Sequence, residues 1–187
     1  MKIKDSKVFL PGQRISLRPL AINDVSLRYH RWLNDPEVNQ YNAHAIFPYS
    51  IEELKEYVKQ ASSDRSKIVL AIVDNKSGKH IGNLSLQNID WVARSAEFAI
   101  IIGDRNFWEK GVGLEAGKLI VDYAFTRLNL NRIYCGTSSQ NMGMQKLAGK
   151  LGMKPEGCRR QAMFKDGKFV DIIEYGILNI EYEKQKA

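Results

Sequence analysis

The chain has 187 residues, 44% of them hydrophobic and 26% charged, with a formal net charge of +7. That length supports one domain with a substantial core and is short for two, and the composition is that of an ordinary soluble globular protein. No apolar run approaches the roughly 20 residues of a membrane helix, no zinc spacing joins His30, His44 and His80, and Lys and Arg are dispersed, without any nucleic-acid-binding motif. The opening Met1-Lys2-Ile3-Lys4-Asp5 lacks the apolar stretch of a signal peptide. Together with two distant cysteines, Cys135 and Cys158, this predicts reduced thiols and a cytoplasmic location.

The first strand is expected over Gln13 to Leu20, where Ile15 and Leu17 alternate with Arg14, Ser16 and Arg18. Asn23 and Asp24 offer caps for a helix running to about Leu33, stopped by Asn34-Asp35-Pro36. Ser50 and Glu53 form a capping-box pattern, followed by Ile51, Leu54, Tyr57 and Val58 at helical spacing. Between these helices, Glu37 to Tyr49 is a polar and aromatic loop of a length that is often functional.

Three strands come next as an antiparallel meander: Lys67 to Val73, a near-continuous apolar run suited to burial on both faces, then His80 to Ile89 and Ser95 to Ile102. A helix carrying Val112, Ala116, Leu119, Ile120, Tyr123, Ala124 and Phe125 on one stripe ends near Leu128. The strand Arg132 to Thr137 after it implies a parallel pair with the strand before it. A helix from Asn141 to Leu151 is closed by Gly152. Two strands, about Met153 to Phe164 and Lys168 to Leu178, join at Lys165-Asp166-Gly167, a hairpin signal. The predicted order is β-α-α-β-β-β-α-β-α-β-β, a mixed α/β sheet flanked by helices.

The chain is organised around Gly111-Val112-Gly113, where the long helix begins. A helix start leaves its first N–H groups unpaired and carries the positive end of the macrodipole, so it suits phosphate. Glycines there let the backbone approach an anion closely. Gly111-Val112-Gly113-Leu114-Glu115-Ala116 also fits the dinucleotide pattern G-x-G-x-x-A. Its context does not: Gly103 to Lys110 separate the glycines from their strand, and Arg132 to Thr137 holds no acidic residue for a ribose. The bland alternative is a tight strand-to-helix turn without a ligand.

The run Asn106-Phe107-Trp108-Glu109-Lys110-Gly111-Val112-Gly113-Leu114-Glu115-Ala116 resembles the acetyl-CoA motif of the GNAT superfamily of N-acetyltransferases, whose core is Q/R-x-x-G-x-G/A. Trp108 stands at the Q/R position, as in the branch holding ribosomal-protein N-terminal acetyltransferases and related amine acetyltransferases. Arg14 to Leu20, Trp32 to Val38, Asn141 with Lys150 to Met153, and Gly157 with Asp166 to Asp171 are similar to further signatures of that branch, in order. The resemblance implies a single GNAT-like domain over 1–187, with a core of about 13–180. It implies acetyl-CoA as cosubstrate, with the backbone of Gly111, Val112, Gly113 and Leu114 on the pyrophosphate and Trp108 beside it. Ile100 and Ile102 would pair with pantetheine as an extended ligand pairs with a strand edge, and Asn141 would contact the cofactor.

Glu97, an acid in an apolar strand, is the candidate general base: burial would raise its pKa toward the working range, and the position coincides with the base of some family members. The alternative is a strand Glu paired with a surface Arg or Lys. Family hydroxyl positions for a proton donor hold Met144 and Ala148, so the acid is unassigned; Tyr134, Ser138 and Ser139 lie nearby in sequence. Trp32, Asn34, Glu37, Tyr41 and His44 occupy the segment that lines the acceptor side, with Trp32 equally suited to anchoring its helix. Arg159 and Arg160 suit an anionic acceptor such as a nucleotide sugar, or solvent.

The expected activity is acetyl transfer from acetyl-CoA to a primary amine, directly and in a ternary complex, with Cys135 packed rather than nucleophilic. A small molecule or amino sugar is the first acceptor expected, and a protein N-terminus the second. A non-catalytic CoA-binding sensor and, more remotely, an NAD-dependent oxidoreductase are the rivals. A homodimer is left open.

Overall fold

The computed structural model describes residues 8–42 and 46–186, and these form eight strands and five α-helices. The strands are β1 (Leu10–Pro11), β2 (Ile15–Pro19), β3 (Ile68–Asp74), β4 (His80–Asp90), β5 (Ser95–Ile102), β6 (Arg132–Ser138), β7 (Lys154–Lys165) and β8 (Lys168–Leu178). The helices are α1 (Leu27–Asn34), α2 (Ile51–Ser63), α3 (Val112–Thr126), α4 (Met142–Lys150) and α5 (Asn179–Lys186). All strands join one sheet in the order β1-β2-β3-β4-β5-β6-β8-β7. β5 and β6 run parallel, and the other neighbouring strands are antiparallel.

Side-chain alternation splits the core between the two faces of this sheet. On β3, Leu70 and Ile72 point into the larger cluster under α3 and α4, beside Phe98, Ile120 and Ile133, while Ala71 points to the other face. There it meets Tyr29 and Trp32 of α1 and Leu54 and Val58 of α2. Burial on both faces explains why β3 reads as an unbroken apolar run. Each fully buried Leu, Ile or Val contributes about 1.5–3 kcal/mol to this arrangement.

The capping box at α2 forms as its sequence predicts, with Ser50 Oγ accepting from Glu53 N at 3.1 Å and Glu53 Oε2 accepting from Ser50 N at 2.7 Å. The β7–β8 turn takes φ +48° at Asp166 and +81° at Gly167, both in the left-handed region that a two-residue hairpin requires.

Three local expectations need correction. Asn23 and Asp24 do not cap α1: Ile22–Asp24 is a 3₁₀ turn, and Ser26 caps the helix by accepting from Tyr29 N. Asp24 is occupied elsewhere, gripping the Arg18 guanidinium through two 2.6 Å hydrogen bonds and the Ala21 amide at 2.8 Å. The first strand is shorter than expected and pairs with the brief extra strand β1. Finally, α5 has no apolar stripe to announce it; Tyr182 docks it by packing on Phe125 and donating to Asp122 Oδ1 at 2.6 Å.

Candidate active site

β5 and β6 are hydrogen-bonded only at Ser95↔Arg132, Ala96↔Ile133 and Glu97↔Tyr134, although β5 continues to Ile102 and β6 to Ser138. Beyond Glu97 the two strands therefore part, and a groove of about 1150 Å³ opens there. Its lining includes Glu97, Ile100, Ile102, Trp108, Gly111, Val112, Gly113, Leu114 and Asn141, which brings together every residue expected on the cofactor side. The Ile102 carbonyl faces away from β4, because it accepts the Trp108 indole N–H at 2.7 Å. Alternation along the ladder turns the backbone N–H and C=O of Ile100 to the same side. Trp108 thus fixes the end of β5 as well as lining the groove.

The turn into α3 is shaped for an anion. Glu109 at φ +57° and Gly111 at φ +75° reverse the backbone, and Gly111 caps the helix without any side-chain hydrogen bond to its first N–H groups. A Cβ on Gly113 would meet nothing closer than Ile100 Cδ1 at 3.8 Å and Leu147 Cδ2 at 4.0 Å, so the glycine leaves an open cradle. Arg14 braces the turn from behind, donating from Nη1 to the Lys110 carbonyl at 2.7 Å. A pyrophosphate at these N–H groups and an extended arm along Ile100 both fit the groove.

Asn141 caps α4, accepting from Met144 N at 3.0 Å through Oδ1, which leaves Nδ2 without a partner among the described residues. Met144 packs against the core and Ala148 is fully buried, so neither position carries proton-transfer chemistry. Cys135 is buried against Met153, and burial, reinforced by the charges of Glu174 and Glu97, pushes its thiol up to about 12. It is no nucleophile near neutral pH. The Tyr134 phenol is likewise raised, first by burial and then by Glu97, its register partner. Ser138 lines the groove and is buried.

On the opposite face a second cavity of about 350 Å³ lies between the sheet and α1–α2, lined by polar residues, Tyr29, Asn39, Tyr49, Glu53, Tyr57 and Asn83 among them, and by apolar ones. The two spaces share Asn42, Gln87, Ala99, Ile100 and Ile101. They meet at β5, within two to four residues of Glu97. Glu97 is half-buried rather than enclosed, and its Oε2 accepts from Asn88 Nδ2 at 2.8 Å, so the full burial expected of it is absent. No Arg or Lys ion-pairs with it among the described residues.

The acceptor-side expectations divide. Glu37 and Tyr41 line the groove, and Glu37 is held there with Asp35 by Arg105. Trp32 does not line it: a Cβ on Gly103 would meet the indole at 2.1 Å, so Trp32 is packed flat against the end of β5 as an anchor. Asn34 is also structural, since its side chain binds His30 O, Tyr49 O and Tyr49 N and closes the loop. His44 lies outside the described residues. Tyr29, Asn83 and Tyr57 were missed. The one available signal was Asn83 and His80 interrupting an apolar strand.

Comparison with known proteins agrees with this geometry. Residues 14–154 match the family described as "Acetyltransferase (GNAT) domain". The chain is 31% identical over 169 residues to the spermidine N(1)-acetyltransferase of Escherichia coli strain K12, covering 90% of this chain and 88% of that protein. It is 29% identical over 174 residues to the uncharacterized N-acetyltransferase p20 of Bacillus licheniformis, covering 91% and 96%. The crystal structure of spermidine N-acetyltransferase from Vibrio cholerae in complex with CoA and spermine superposes with a TM-score of 0.83 at 29% identity, covering 91% of this chain and 98% of that one. Fold, parted strands, glycine turn and sequence relatives lead to one assignment: the chain belongs to the GNAT family of N-acetyltransferases.

Proposed function

We propose that the protein transfers an acetyl group from acetyl-CoA directly to the primary amine of a small molecule, amino sugars included. The observation that carries this reading is the meeting of a cofactor-shaped groove and a separate 350 Å³ cavity on either side of β5, beside Glu97. That volume suits a small molecule held by apolar walls and a few polar groups. The cosubstrate supplies an acetyl group activated as a thioester, whose thiolate leaves readily near neutral pH.

The residues divide the remaining work. N–H groups of Gly111 to Leu114, aided by the α3 dipole, hold the phosphates. The Ile100 backbone N–H, turned to the open side of β5, is placed to donate to the acetyl carbonyl. The Glu97 carboxylate, oriented by Asn88, takes the proton of the incoming amine, directly or through one water. With Met144 and Ala148 at the family hydroxyl positions and Cys135 inert, no covalent acetyl-protein step and no dedicated acid are needed.

The test is a screen of amino sugars, nucleotide-linked amino sugars, polyamines and N-terminal peptides for release of free CoA thiol, alongside thermal stability with acetyl-CoA. At about 100 times its dissociation constant acetyl-CoA stabilises the fold by about 2.7 kcal/mol. A thermal shift with NAD and none with acetyl-CoA would sink the reading, and acetylation of peptides alone would move the acceptor from small molecules to protein N-termini.

A further inference from the structure

We propose that Tyr29 is a specificity-determining hydrogen-bond donor in the acceptor cavity, favouring amines that carry a hydroxyl or ether oxygen over their plain alkyl counterparts. This rests on reading the 350 Å³ cavity as the acceptor site.

A buried polar chain runs from β4 to α1. His80 Nε2 lies 2.7 Å from Asn83 Oδ1, and Asn83 Nδ2 donates to Tyr29 Oη at 3.0 Å. All three residues are almost fully enclosed, with exposures of 7%, 9% and 2%. An amide oxygen only accepts, so Nε2 donates, and either charge state of the ring supplies that proton. Asn83 is thereby oriented with its amide nitrogen toward the phenol. The phenol oxygen accepts from Asn83, its only hydrogen-bond partner among the described residues, and none of these residues takes its proton.

The hydroxyl proton therefore remains to be given to something else, and Tyr29 and Asn83 both line the cavity. Burial is the main effect raising the Tyr29 pKa, so the group stays a neutral donor across the working pH range. A donor in such a wall costs free energy when a ligand leaves it unpaired, and this is how a polar site rejects an analogue that lacks one oxygen. His80 and Asn83 act through Tyr29 and are positioning residues. The Arg28 guanidinium secures the His80 end by donating to its carbonyl at 2.7 Å.

Three amines matched in the position of the nitrogen test this: n-butylamine, 3-aminopropan-1-ol and 3-methoxypropylamine. Each is titrated by NMR into wild-type protein and Tyr29→Phe, both loaded with CoA. The expected result is that the affinity of the alcohol relative to butylamine falls about tenfold in Tyr29→Phe, the size of one net hydrogen bond, and that the ether falls with it. An unchanged ratio overturns the role of Tyr29, as does absence of binding by all three amines. Binding of the alcohol without the ether overturns the donor direction, because an ether oxygen only accepts. If Tyr29→Phe does not fold, the wild-type order decides, with alcohol and ether both above butylamine. Acetyl-CoA thermal shifts run in parallel separate the two readings: their absence in wild type removes acetyl transfer itself, and their presence with an unchanged ratio removes only this inference.

Discussion

Glu115 in the first turn of α3 accepts the backbone amide of Arg14 at 2.8 Å through Oε1 and its side-chain Nε at 3.0 Å through Oε2. Arg14 completes the circuit by donating to the carbonyl of Lys110, inside the glycine turn. The start of β2 and the glycine turn are thus locked together across 101 positions of sequence. The Arg14 side chain is 57% exposed, so the ion pair itself contributes little. The Arg14 amide and the geometry of the turn depend on Glu115 more heavily.

Glu115→Ala is expected to destabilise the protein by about 0.5–1.5 kcal/mol, because the exposed Arg14 amide and the part-buried Ile15 amide lose their shared acceptor. It should also weaken acetyl-CoA binding, since the turn loses its brace. Urea denaturation and calorimetric titration read the two effects separately. Unchanged stability together with unchanged affinity would show that the brace does not shape the turn.

The two glycines of the turn should respond differently. Gly111 has φ +75°, where any side chain is strained, so Gly111→Ala costs about 1–2 kcal/mol of stability even without ligand. Gly113 has ordinary backbone angles and open space before it, so Gly113→Val should leave the melting temperature near wild type while filling the anion cradle. Loss of acetyl-CoA affinity of tenfold or more, without loss of fold, is the expected outcome. Unchanged affinity in Gly113→Val would place the phosphates elsewhere.

Glu97→Gln keeps the shape of the side chain and its contact with Asn88 while removing the basic oxygen. Turnover should fall most at lower pH, where the amine arrives protonated and needs a base, and least at high pH, where free amine is abundant. The measurement is kcat/KM against pH for the best amine found in the screen. A profile parallel to wild type would exclude Glu97 as the base.

Much of this site was legible in the sequence because it depends on backbone. The turn needs glycine at a left-handed cap, the parted strands need an apolar β5 followed by a polar connection, and both leave local marks. The 350 Å³ cavity proposed for the acceptor left almost none. Its walls come from α1, α2, β4 and β5, and Tyr29 and Asn83 stand 54 positions apart, so no local pattern links them. Trp32 was open to two readings, ligand contact or helix anchor, and it is the bare backbone of Gly103, 71 positions away, that makes it an anchor. Asp24 misled through chemistry, since a good capping residue was claimed by Arg18 instead. The brace between Arg14 and Glu115 was likewise hidden by sequence distance.

The pH dependence of stability should show two separate windows near α1. Burial is the largest influence on His80 and lowers its pKa below 6.5, despite the opposing effects of Asn83 and Asp24. A histidine that resists protonation when folded contributes its full stability above pH 6.5, and loses it as pH falls from there toward the folded pKa, because the unfolded chain binds a proton that the native chain refuses. Asp24 behaves differently: burial acts to raise its pKa, but Arg18, the Ala21 amide and His80 outweigh it and hold it below 3.8. Its contribution is complete above pH 3.8 and disappears below. Wild-type protein should therefore lose denaturation midpoint as pH falls below 6.5. His80→Gln retains an N–H for Asn83 without titrating, and should flatten that window while leaving the acidic one in place. Urea midpoints at half-unit pH steps measure it. An equally steep fall in the variant would mean that His80 does not control this part of the curve.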